Sequence, residues 1–183
     1  MLACWRVTAP RRALSQAIAE GDGISLIVEV DGPEAARAAE TDGAEALLVS
    51  GDGGRFDAIR KISPLPLLAF FDRAGPPPDA CIVSPDEEWA AARAALGETI
   101  ELAAWVEREE DLEHALELHD PELLVLAARR RPNRLDHVLG LLSDVPAGKL
   151  AIADLGHTSE EEIAELERAG CDAVLVGART PAA

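Results

Sequence analysis

Glu29, Asp31 and Asp154 are the residues of this 183-residue chain best placed to do acid–base chemistry or hold a cation. Glu29 and Asp31 stand two apart at the end of the apolar run Ile24–Val30, so period-two alternation puts both side chains on one face. Asp154 closes a second apolar run, His157 follows three residues after it, and Asp52 follows a third run. Carboxylates and an imidazole converging at the ends of strands could bind a divalent cation, and carboxylates alone could act as acid and base. The same acids also read as a solvated rim, and neither a metal nor a cofactor is expected. Arg129-Arg130-Arg131 could steer an anion toward these residues, or could be a solvated loop pairing with nearby acids. Cys4, Cys81 and Cys171 are far apart and show no CxxC or Cys/His ligand spacing, which argues against structural zinc and a disulfide framework.

Such residues act together only if the fold brings strand ends to one place. Short Val/Ile/Leu-rich runs recur at Ile24–Val30, Ala44–Val49, Leu65–Phe70, Ala80–Val83, Ile100–Val106, Leu123–Ala127, Lys149–Ala153 and Asp172–Val176. Continuous apolar runs suit strands buried on both faces of a parallel sheet. Amphipathic stretches such as Glu109–Leu118 and Ser159–Ala169 lie between them. Asp86 or Ser84 can cap the fourth helix, Thr158 or Ser159 the seventh, and Gly170 can end it. Strand–helix alternation of nearly constant length, with no Gly-rich fingerprint after the first strand, predicts a minimal (β/α)8 TIM barrel with very short loops. The alternative is an open flavodoxin-like sheet. The third unit is the weakest, because Pro76-Pro77-Pro78 leaves little room for a helix. The chain reads as one barrel domain over 1–183. Residues 1–23 form an N-terminal segment in which Arg11–Glu20 could be a helix closing one end, and 24–180 hold eight βα units.

A formal charge of −17 argues against nucleic acid and anionic membranes as partners. No apolar stretch approaches membrane-spanning length, and the N-terminus has no apolar run of signal-peptide length, so a cytoplasmic protein is expected. Monomer and homodimer both remain open.

The last third, Ser159 to Gly177, reads SEEEIAELERAGCDAVLVG. It resembles the seventh helix and eighth strand of indole-3-glycerol-phosphate synthase, a lyase family of tryptophan biosynthesis. Gly23–Val30 is similar to that family's first strand, Asp42–Val49 to its second, and Glu101–Leu112 to its fifth strand and helix. The resemblance runs in order over roughly residues 10–180 and implies a phosphate-binding (β/α)8 barrel.

The resemblance also implies a catalytic set, and most of it is replaced. Glu29 keeps the family's first-strand glutamate, whereas Asp31 stands at a lysine position. Phe70 takes the place of the catalytic lysine, Trp105 of a glutamate, Ala127 of an asparagine, and Leu155 of a ligand-contacting serine. Lys61 and Lys149 are the only lysines, and neither falls at the active-site end. Phe, Trp, Ala and Leu cannot move protons or stabilise developing charge, so synthase activity is not expected. Phe70 and Trp105 are expected to plug the barrel top. What the resemblance leaves is the phosphate-binding end: Gly156 and Gly177 at the turns after strands seven and eight, followed by Ala178 and Arg179. Three readings follow. One is a degenerate barrel retaining a site for a small phosphorylated ligand. Another is a carbon–carbon lyase or isomerase using Glu29, Asp31 and Asp154. The last is a scaffold or interaction protein without ligand.

Overall fold

The computed structural model describes residues 13–50, 53–73 and 75–177. Eight parallel strands close into a barrel in sequence order: β1 (Ser25–Val30), β2 (Ala46–Val49), β3 (Leu67–Phe70), β4 (Ala80–Val83), β5 (Glu101–Val106), β6 (Leu123–Ala127), β7 (Leu150–Asp154) and β8 (Ala173–Val176). Ser25 to Val28 pair with Ala173 to Val176 and complete the ring. That ladder rules out the open-sheet alternative, which would leave two unpaired edges.

Helices α2 (Pro33–Thr41), α3 (Gly53–Ile62), α4 (Glu87–Leu96), α5 (Glu109–Leu118), α6 (Arg134–Ser143) and α7 (Glu160–Arg168) cover the outside. Each is nine or ten residues long, which is how a full barrel fits into so short a chain. Among the described residues, no helix joins β3 to β4. Pro76, Pro77 and Pro78 supply no backbone N–H groups there, and their rings would clash with a preceding helical turn. The predicted caps are present: the Asp86 side chain accepts from Glu88 N–H, and Ser159 and Glu162 form a reciprocal capping box. Gly170, at φ 89°, follows α7 in the left-handed conformation glycine tolerates.

Side chains alternate between two packed layers. Ile27, Leu48, Leu68, Ile82, Ala103, Val125, Ile152 and Leu175 fill the barrel interior. The opposite set, including Leu47, Leu67, Cys81, Leu124 and Val174, packs beneath the helices. Cys81 and Cys171 belong to that outer layer, where burial pushes their thiols up to about 12 and about 11 and makes them poor nucleophiles. Among the described residues, no helix is long and apolar enough to cross a membrane.

The N-terminal end of the barrel is closed by α1 (Leu14–Ala19), whose Leu14 and Ile18 join the interior cluster. The Glu101 carboxylate, at the start of β5, accepts from the Leu14 N–H at 2.6 Å and from the Ser15 N–H at 3.2 Å. It supplies from a distant strand the cap that the side chain of Ala13 cannot. Glu101→Ala is therefore expected to cost about 1 kcal/mol. Amide exchange of residues 14–19 should accelerate while the strand amides hold. Unchanged exchange in α1 would show that something other than Glu101 holds the plug.

Candidate functional site

At the C-terminal mouth, alternation along β1 and β7 turns Glu29 and Asp154 inward, above Ile27 and Ile152. Asp154 is fully buried, at 0% exposure. A buried carboxylate needs a counter-charge, and Arg129, two residues beyond β6, provides it. Its Nε lies 2.7 and 2.8 Å from the two Asp154 carboxylate oxygens, and its Nη2 donates to Glu29 Oε2 at 3.1 Å. Ser50, just after β2, donates to the other Glu29 oxygen at 3.1 Å. Asp154 Oδ1 also accepts the Gly156 N–H at 3.0 Å. The mouth is thus tied by an ion triad spanning β1, β6 and β7.

Burial raises the Asp154 carboxyl above its usual range, and the Arg129 guanidinium and the Gly156 N–H offset only part of that rise. For Arg129, burial acts against the charge, but the two carboxylates prevail and hold the guanidinium more firmly protonated than usual. Neither carboxylate is a free base. Both oxygens of each one lie within hydrogen-bond distance of a donor within the protein.

Gly156 and Gly177 meet beside this triad. Gly156 has φ 77°, and a Cβ placed on it would come 3.2 Å from Arg129 Cγ, so the arginine stem lies against the bare backbone. A Cβ on Gly177 would sit 3.5 Å from the Gly156 carbonyl oxygen, which puts the first residue after β8 against the turn after β7. Arg129 Nη1 makes no hydrogen bond among the described residues, and the side chain is 35% exposed. Asp52, Ala178 and Arg179 fall outside the described residues.

The structure departs from several sequence expectations. Asp31 does not join Glu29. Strand β1 stops at Val30, and Gly32 and Pro33 begin α2 at once, leaving Asp31 exposed and without a hydrogen bond or ion pair among the described residues. His157 is exposed on the turn, and no three His, Cys, Asp or Glu side chains among the described residues converge as metal ligands. Arg129 occupies the space between Glu29 and Asp154 where a cation would sit. Leu155, aligned with a ligand-contacting serine, points away from the mouth into the layer beneath the helices, and Asp154 is the residue that faces inward. Phe70 does not fill the barrel top. It stands 50% exposed over the half-buried Trp105, in edge contact at 5.3 Å between ring centres. The sequence reading missed Arg129 as the centre of the site. Three adjacent arginines gave no sign of which would turn inward.

This barrel is similar to solved structures that share little sequence with it. One is N-acetylmannosamine-6-phosphate 2-epimerase from Clostridium perfringens, at 16% identity and a TM-score of 0.65, covering 84% of this chain and 86% of that one. Another is 2,3-dimethylmalate lyase, of the PEP mutase/isocitrate lyase superfamily, at 18% identity and a TM-score of 0.65, covering 89% and 79%. The likeness is one of fold. No protein-family model and no curated protein matches the sequence. Barrels of this architecture carry their chemistry at the C-terminal mouth, where the triad lies.

Proposed function

We propose that this chain is a non-catalytic barrel of the indole-3-glycerol-phosphate synthase lineage that binds a small phosphorylated molecule at the turns after β7 and β8. The observation that carries the reading is the juxtaposition of Gly156, Gly177 and Arg129. Two glycines without side chains lie against each other, and the adjoining guanidinium has one nitrogen uncommitted among the described residues. Backbone that an anion can approach closely, next to a cation, is what a phosphate group requires. One of the similarly folded barrels is named for a phosphorylated sugar, which favours the same ligand class. The triad argues against the lyase or isomerase alternative. Asp154 is fully buried and bonded to Arg129 and Gly156, so no surface of its carboxylate faces a substrate, and Glu29 is held from both oxygens.

Arg129 already answers two carboxylates, and the Gly156 N–H is taken by Asp154, so the expected affinity is modest. Inorganic phosphate, ribose 5-phosphate and indole-3-glycerol phosphate, titrated to millimolar concentration, should raise the melting temperature by mass action on the native state. Gly177→Asp should abolish the rise. Its Cβ fits at ordinary contact distance, while its carboxylate repels the ligand. No rise with any of the three would overturn the binding reading. Turnover of indole-3-glycerol phosphate would overturn the non-catalytic one.

A further inference from the structure

Every crossover from β1 to β8 carries a helix except the one between β3 and β4. A cavity of about 300 Å³ occupies that position, bounded by α3, by the end of α4 and by the proline-rich crossover. The chain has only three phenylalanines, and Phe56, Phe70 and Phe71 all line this cavity, with Val49, Cys81 and Leu96 completing its apolar wall. Phe56 comes from α3, Phe70 ends β3 and Phe71 begins the crossover, so independent elements converge on the same space.

We infer that this cavity is a binding site for a small, uncharged aromatic molecule of about two fused rings. Volume sets the size: an apolar protein cavity of about 150 Å³ holds one benzene ring, and this space is about twice that. The lining sets the chemistry. Phenyl rings present edges and faces to an aromatic guest, and aliphatic groups fill the remainder. Desolvation sets the selectivity. An anionic group would lose its hydration against this apolar wall with no Lys or Arg among the described lining residues to offset the loss, and the whole chain carries −17, so an anionic version of the same ring system is excluded. The site lies across the barrel from the turns after β7 and β8, and it stands or falls independently of the phosphate reading.

Biosynthetic labelling with 4-fluorophenylalanine gives three fluorine resonances, one per ring of the cavity wall. Phe70→Leu and Phe71→Leu each remove one line and assign all three. Addition of naphthalene to the full-length protein should shift all three lines saturably, and naphthalene-2-sulfonate at the same concentration should leave them in place. Movement of the exposed Phe70 line alone, or no movement, would overturn the inference. Equal shifts with the sulfonate would overturn the charge selectivity it contains.

Discussion

Replacing Arg129 with leucine is expected to cost about 3 kcal/mol of folding free energy near neutral pH, because a fully buried Asp154 then loses its counter-ion. The figure lies at the lower end of what breaking a buried pair costs, since Arg129 is itself 35% exposed and water can enter the space it leaves. The pH dependence follows from the direction of the Asp154 shift. Its folded pKa lies above the unfolded one, so the native state binds the proton more readily and Asp154's contribution to stability falls as pH rises through that interval. Removing Arg129 removes the influence that held the pKa down, and the interval widens upward. The penalty is therefore small where Asp154 is protonated in both states and complete above the variant's folded pKa. Urea unfolding from about pH 5.5 to about pH 8 should show it growing with pH. That range stays above the isoelectric point of about 4.5, where a neutral surface would precipitate. A penalty independent of pH would contradict the account. Asp154→Asn added to the leucine variant should recover most of the loss, because a neutral amide needs no counter-ion.

Ile152→Ala is expected to cost about 4 kcal/mol, toward the upper end for such truncations. Ile152 is fully buried in the barrel interior with Ile27, Val125, Ala173 and Leu175. The walls around it are strands hydrogen-bonded on both sides, so they cannot collapse into the vacated volume, and the cavity term persists. Ile152→Val should cost only about 1 kcal/mol. Leu118→Ala, at a side chain 62% exposed, should stay within about 0.5 kcal/mol of the parent. These values are read from urea midpoints at constant m. A small loss for Ile152→Ala would mean that the interior repacks and is less tightly specified than the strand ladder implies.

The elements were legible because each is announced locally. The runs at Ala80–Val83 and Leu123–Ala127 match β4 and β6 at both ends, and the missing third helix was foreshadowed by Pro76, Pro77 and Pro78. Asp86, Ser159 and Gly170 mark helix ends through bonds and dihedrals that span only a few residues. The site was only half legible. That Glu29 and Asp154 converge at the mouth was legible, but their shared partner Arg129 lies 100 residues from one and 25 from the other. Pairing over such separations is decided by barrel closure, which no local pattern encodes. Leu155 misled for a related reason. Its register was counted back from the following helix, across a turn whose geometry was unknown. Alternation from Ile152 would have pointed to Asp154 instead. The phenylalanine-lined cavity had a visible cause in the proline run, yet its volume depends on how α3 and α4 flank a gap, which only the assembled barrel fixes.

The ladder that completes the ring joins residues roughly 150 positions apart, the largest separation the chain can impose on two hydrogen-bonded strands. During synthesis β1 leaves the ribosome long before β8 exists. For that interval the nascent chain carries two raw sheet edges, the features most apt to recruit another molecule. Short helices give those edges little shelter.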